Sequence, residues 1–301
     1  MSKNILIIGG TGFVGYHIAK KCLNLSWKVV SASLRPPKKE RRLKKVKYIK
    51  LDTSKKNFKI LKKYKFDYVI NSAGYVEHKN IERIMKGHYL SVKNLYAYFK
   101  NRNLKSFIQI GSSAEYGNTK MPHKEFFNCK PLGVYGKYKL KATHFLLKKF
   151  KENEFPVTVL RLYQLYGPRQ DINRFIPILI SSSVKKEKFF TSSGKQKRDF
   201  LYVSDAVEAT IKSALSDKSK GKIINIGYGK STMLKKVMNL VHLRTGFFDP
   251  VCGKIKLRVD EKKDIYPDIS QAKKILFWKP RINLKIGISK TINYYKKQYR
   301  Q

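Results

Sequence analysis

The 301-residue chain is 42% hydrophobic and carries 66 basic against 20 acidic side chains, a formal net charge of +46. This length accommodates one large or two small domains, and this apolar content excludes global disorder. No apolar run approaches the ~18 residues of a membrane span, and the run Ile5 to Ile8 is too short for a signal peptide.

Lys3 to Ile8 reads as a buried first strand, followed by a glycine-rich turn, Gly9 to Gly15, and an amphipathic helix over Tyr16 to Leu25. Further strands are expected at Trp27 to Leu34, Val46 to Leu51, Phe66 to Asn71, Leu104 to Gly111 and Pro156 to Leu162. Helices are expected between them at Phe58 to Tyr64, Ile81 to Lys100 and Gly136 to Asn153. Strand–helix alternation of this kind implies an α/β fold, a Rossmann-type doubly wound parallel sheet. After Tyr166-Gly167-Pro168 the elements shorten and mix. Helices are expected near Arg174 to Val184, Leu234 to Arg244 and Leu284 to Gln298, and a strand near Ile223 to Ile226. The expected organisation is a dinucleotide-binding domain over residues 1–166 and a smaller mixed α/β substrate domain over 167–301. Chain near 197–226 is expected to return to the first domain.

Cys22, Cys129 and Cys252 stand far apart with no metal-ligand spacing, so no metal is expected, and reduced thiols in a cytoplasmic protein are. The basic residues are spread along the whole chain, densest over Lys38 to Lys50. No RNP-like aromatic motif, zinc finger or helix-turn-helix accompanies them, so nucleic acid is not an expected partner. A field of this sign draws in anionic substrates instead.

Gly9-Gly10-Thr11-Gly12-Phe13-Val14-Gly15 satisfies both GxGxxG and GxxGxxG between a strand and a helix. Glycines permit close backbone approach to a pyrophosphate, and the helix N-terminus supplies N–H groups and a positive dipole end. Gly9, Gly12, Phe13, Val14 and Gly15 are therefore candidate dinucleotide contacts. An NAD enzyme usually places an acid about 20 residues beyond the glycines to hold the ribose 2′-hydroxyl. The stretch Ser31-Ala32-Ser33-Leu34-Arg35 has none. Ser33 can donate to a 2′-phosphate and Arg35 can pair with it, which favours NADP(H) over NAD(H). Asp52, beside Thr53, is placed either to accept from an adenine amino group or to cap its strand. Ala73, in the small-residue turn Asn71 to Gly74, would let the cofactor pass.

Tyr135 and Lys139 stand at i and i+4 and share a helix face. A cation beside a phenol stabilises the phenolate, so Lys139 is expected to lower the Tyr135 pKa from its ordinary value of about 10. Tyr135 would then exchange a proton with a sugar or alcohol oxygen, while Lys139 could hold the nicotinamide ribose. Ser112, at the end of the fifth strand in Gly111-Ser112-Ser113-Ala114-Glu115-Tyr116-Gly117, points toward the ligand side of such a sheet.

Glycine turn, strand-end serine and Tyr-x-x-x-Lys, in this order, resemble the extended short-chain dehydrogenase/reductases, in their nucleotide-sugar epimerase/dehydratase/reductase branch. Arg161 to Pro168, Arg198-Asp199-Phe200-Leu201-Tyr202-Val203-Ser204-Asp205 and Pro267 to Lys273 with Trp278-Lys279-Pro280 extend the resemblance over the whole chain. It implies a catalytic triad of Ser112, Tyr135 and Lys139, with Ser112 preferred to Ser113 because it stands four residues before Tyr116. It also implies a nucleotide-diphosphate-sugar substrate, with Arg198 and Arg258 for the diphosphate. Ser113, Gln164, Asn173 and Arg174 would line the sugar pocket. By analogy, two copies would pair through the helices near 81–100 and 136–153.

Departures from the family pattern narrow the expected reaction. The acidic pair of sugar 4,6-dehydratases is replaced by Ser113 and Ala114, and Glu115, one residue late, should face the other side. Ala114 also replaces the cysteine of the fucose-type epimerase-reductases. Redox at one sugar carbon is left. With NADP(H) favoured, the expectation is NADPH-dependent reduction of a 4-keto-6-deoxysugar, resembling the CDP-abequose synthase and GDP-6-deoxy-4-keto-mannose reductase type. An NAD-dependent 4-epimerase is the alternative, and a non-catalytic NADP-binding protein a third reading.

Overall fold

Consecutive side chains of the first strand, β1 (Asn4–Ile8), enter different cores. Ile5 and Ile7 join one buried cluster, and Leu6 and Ile8 join another on the opposite face of the sheet. The same period of two recurs at Val29 against Val30, Ile70 against Val69, and Ile108 against Phe107. A strand apolar on both faces can only be an inner strand covered on both sides.

The computed structural model describes residues 2–74, 80–247, 249–255 and 262–299. In chain order, β1 leads into α1 (Phe13–Asn24), β2 (Lys28–Ser33), β3 (Val46–Lys50) and β4 (Tyr68–Asn71). Helices α2 (Ile81–Met85) and α3 (Ser91–Phe99), joined by a π turn at Lys86–Leu90, precede β5 (Ser106–Ser112). Then come α4 (Val134–Asn153), β6 (Val157–Leu162), β7 (Gln164–Tyr166), α5 (Phe175–Lys185), β8 (Phe189–Phe190), β9 (Lys197–Arg198), β10 (Phe200–Tyr202) and α6 (Val203–Leu215). The last part holds β11 (Ile223–Ile226), β12 (Thr232–Met233), α7 (Leu234–Thr245), β13 (Pro250–Val251), α8 (Ser270–Leu276) and α9 (Leu284–Tyr299).

The central sheet runs β11-β6-β5-β4-β1-β2-β3, and every pairing in it is parallel. Helices α1, α6 and α8 cover one face, and α3 and α4 the other. This is the doubly wound Rossmann arrangement, and its strand order reverses between β1 and β4. Strand β11 comes late in the chain yet pairs in register with β6, Ile223 against Val159 and Ile226 against Leu162. A third cluster lies apart from the sheet, where Ile176, Leu179 and Ile180 of α5 pack with Val237 and Val241 of α7 and Ile288 and Ile292 of α9. Strands β7 and β10 pair with each other and lead from the sheet into this cluster. No described helix is long and apolar enough to cross a membrane.

Candidate active site

A cleft of about 730 Å³ opens at the carboxyl ends of the central strands. It brings together Gly9, Gly12, Phe13, Val14 and Gly15 from the glycine turn, Ser112 at the end of β5 and Ser113 just past it, Tyr135 from α4, and Gln164, Arg174 and Arg198 from beyond β6. Parallel strands all end on one side, so their connecting turns meet there.

The glycine turn is shaped by contacts that admit no side chain. Gly9 takes φ +80°, and a Cβ there would lie 2.7 Å from the Ala73 amide nitrogen. A Cβ on Gly15 would lie 2.3 Å from the Gly9 carbonyl oxygen. Helix α1 starts straight out of this turn, with extended Gly12 as N-cap and no side chain capping it. Its first-turn amides have no acceptor within the helix, so turn and helix together form a cradle that fits a dinucleotide pyrophosphate.

The residues expected around the adenosine lie beside the cleft rather than among its lining residues. The Ser33 hydroxyl accepts from the Thr11 amide at 3.4 Å, and Arg35 is exposed just beyond β2. Asp52 Oδ1 accepts from the Ser54 amide at 3.0 Å and hydroxyl at 2.6 Å, closing the turn after β3. The Thr53 carbonyl accepts from Asn94 at 3.1 Å. Ala73 packs its backbone against Gly9.

Ser112 is the last residue of β5, and it lines the cleft together with Tyr135 near the start of α4. Lys139, one turn further along α4, is buried and donates from Nζ to the Ile110 carbonyl at 2.6 Å. Its Nζ lies 6.0 Å from the centre of the Tyr135 ring. The expectation that Lys139 lowers the Tyr135 pKa is not met. Burial pushes the phenol up, neighbouring Ser112 pulls it back, the charge of Glu115 raises it further, and the charge of Arg174 lowers it. Burial also pulls the Lys139 amine down to about 8, against the opposing pull of Glu115. Tyr135 and Lys139 share a helix face, but Lys139 is drawn to a backbone carbonyl beneath the phenol.

Of the residues expected to contact the sugar nucleotide, Ser113, Gln164, Arg174 and Arg198 line the cleft. Asn173 does not; it is exposed in the turn before α5. Arg174 is in extended conformation there, and neighbouring side chains of extended chain point to opposite sides. Arg258 lies outside the described residues.

Several groups escaped the sequence reading. His88, from the π turn, sets its ring edge-on to Tyr135 at 5.0 Å, and a Cβ on Gly74 would lie 2.1 Å from its Cε1. A histidine within a helical stretch carries no signal for this. Asp171 and Lys262 also line the cleft. Asp199, fully buried in the cleft wall, accepts from the Tyr228 and Gly229 amides at 2.7 Å each, and burial pushes its carboxyl up to about 7. Glu115 does turn away from the cleft, into a buried ion pair with Arg161 at 2.9 Å.

The profile of the NAD dependent epimerase/dehydratase family matches residues 5–227. A UDP-glucuronate 4-epimerase of Thermodesulfobacterium geofontis is 28% identical, over 67% of this chain and 63% of its own length. The dTDP-D-glucose 4,6-dehydratase of Mus musculus is 26% identical, over 99% of this chain and 90% of its own. Among solved structures, the UDP-glucose 4-epimerase of Thermotoga maritima, solved with UDP-glucose, superposes with a TM-score of 0.92 at 24% identity, over 98% of this chain and 99% of that one.

Proposed function

This chain belongs to the NAD dependent epimerase/dehydratase family, and from that premise we propose that it inverts the C4 hydroxyl of a nucleotide-linked sugar. The observation that carries the proposal is that Ser112 and Tyr135 line the same cleft as the glycine cradle, with Lys139 buried one turn from Tyr135 on the same helix face. A bound nicotinamide dinucleotide supplies the hydride acceptor for the first half of the reaction and the donor for the second. Tyr135 takes the C4 hydroxyl proton as the ketone forms and returns it when the ketone is reduced on its other face. Ser112 holds the same oxygen and favours the phenolate. Lys139 anchors the helix face beneath the phenol with a cation. Arg198, on the cleft wall, holds the diphosphate, and Arg174, whose charge acts on Tyr135, meets the sugar.

Two features favour epimerisation over elimination of water. Glu115, the acid nearest Ser112 in the chain, is held in the core, and Ser113 and Ala114 present no carboxyl to the cleft. A 4-epimerase needs no acid beyond the Tyr/Ser pair.

One observation favours the second reading, NADPH-dependent reduction of a 4-keto sugar: no acid stands on β2, which ends in Ser33 with Arg35 just beyond. The proposal also includes a homodimer paired through α3 and α4, by family resemblance. Mass spectrometry of the dinucleotide that copurifies, combined with assays on UDP-glucose and UDP-glucuronate, separates the readings. The 4-epimerase predicts about one NAD per chain, C4 interconversion and no net change in nicotinamide absorbance. NADPH consumption confined to 4-keto nucleotide sugars would establish the reductase. No turnover with either substrate set would remove both.

A further inference from the structure

We infer that Glu115 is a positioning residue for this reaction: its buried carboxylate fixes the backbone of Ser112 and, through Thr143, sets an anion on α4 one helical turn from Lys139. The inference rests on the reading of Ser112, Tyr135 and Lys139 as the reacting set.

Glu115 is 0% exposed and is not among the residues lining the cleft. Its Oε1 accepts from the Ser112 amide at 2.8 Å. Its Oε2 accepts from Thr143 Oγ1 at 2.8 Å and from Arg161 Nε at 2.9 Å. One carboxylate thus ties the end of β5 to α4 and β6. The Ser112 hydroxyl reciprocates by accepting from the Ala114 amide at 3.2 Å, which completes a capping box around residues 113–115. Ser112 is thereby held at φ −152°, ψ 146°, the conformation from which its side chain meets Tyr135. Gly111 leaves the space, since a Cβ there would lie 2.6 Å from Glu115 Oε1.

The charge matters as well as the bonds. Ile110, whose carbonyl receives the Lys139 amine, is two residues from Ser112 on the same strand. Glu115 raises the pKa of both Lys139 and Tyr135. The other groups facing the carboxylate are Arg161, the Cys129 thiol acting on that pair, and Tyr116, whose ring lies 4.3 Å from the guanidinium. A buried ion pair gains little stability over packed apolar residues of the same volume, so stability alone is a weak reason for an acid at this point. An acid wired to the catalytic serine on one oxygen and to two elements on the other has a better reason to be there.

The test compares E115Q and E115D with the wild type. The readouts are kinetics of sugar interconversion and the pH dependence of Lys139 acylation by acetic anhydride, followed by mass spectrometry. E115Q should lower kcat by at least about tenfold, the scale of a misplaced catalytic group. Its KM should stay within about threefold, since the residue touches no cleft surface. Its Lys139 midpoint should move acidward by at least about half a pH unit, the scale of one removed charge at an effective dielectric near 20. E115D keeps the charge but loses reach, so kcat should fall while the midpoint holds. A folded E115Q with the wild-type kcat, or with the wild-type Lys139 midpoint, overturns the inference. If E115Q does not fold, E115Q/R161Q, which leaves no unpaired charge in the core, carries the kcat readout. Lys139 acylation needs no turnover. A wild type inactive on nucleotide sugars therefore counts against the proposed function and leaves the charge test standing.

Discussion

Tyr135 stands between opposed influences, with burial holding its proton and neighbouring Ser112 favouring its release. A phenol in that position can give or take a proton only if its oxygen reaches the substrate, so the hydroxyl itself is the decisive atom. Tyr135→Phe should lower kcat by about 10²–10⁴-fold, the usual share of a positioned acid–base group. Dinucleotide affinity by calorimetry should change little, because the glycine cradle is separate. A variant that keeps full turnover would remove Tyr135 from the mechanism. The pairing of Tyr135 with Lys139 was legible from the i, i+4 spacing, which fixes a shared helix face. The Lys139 bond to the Ile110 carbonyl was not, because it joins α4 to a strand that no local spacing relates to it. Glu115 was legible only as an acid facing away from the cleft. Its partners Thr143 and Arg161 stand far along the chain and meet it through packing alone.

At the scale of elements, the first strand–turn–helix unit was the most legible part of the chain. Its signal is local: an apolar strand, glycines where side chains would collide, and an amphipathic helix. Gly15→Ala tests that reading, since the added methyl would meet Gly9 and Gly10 backbone atoms at 2.3 and 2.6 Å. Overpacking against backbone costs about 1–3 kcal/mol. The urea midpoint should fall accordingly, and dinucleotide binding should weaken with it. Unchanged stability and binding would show that the turn has slack the contacts do not reveal. The helix expected over Ile81 to Lys100 is instead interrupted by the π turn at Lys86–Leu90. That turn brings His88 against Tyr135 and beneath Gly74, a contact between distant segments that helical periodicity does not encode. The expected helix at Phe58 to Tyr64 is a short 3₁₀ stretch, Lys59–Lys63, too brief to bury a full helical face.

At the scale of the molecule, the charge of +46 surrounds a cleft whose described charged lining is Arg174, Arg198 and Lys262 against Asp171 and Asp199. Such a field raises the encounter rate with a dianionic sugar nucleotide, and salt screens it over a Debye length of about 10 Å at 0.1 M. Raising ionic strength from about 20 to 200 mM should therefore lower kcat/KM by several-fold, with kcat nearly constant. Stopped-flow association at the two salt concentrations checks this, and a flat response would assign the lysines no part in substrate capture. The spread of basic residues also explains why charge alone marks no second site. In a chain this basic, surface hollows far from the cleft are lysine-lined too, as around Lys28, Lys45, Lys47, Lys63 and Lys65.

By itself, the sequence determined the parallel sheet, the glycine cradle and the shared helix face of Tyr135 and Lys139. All of these rest on near neighbours: period two in strands, i and i+4 in helices, and glycine where backbones touch. Tertiary structure alone decided where Lys139 donates, that Asn173 faces away while Arg174 faces in, and that Glu115 braces Ser112 from within the core. Each of those outcomes depends on which distant segments the folded sheet brings within a few ångströms. Local propensity cannot specify that, because hydrogen bonds and buried charges find their partners only after the chain has packed.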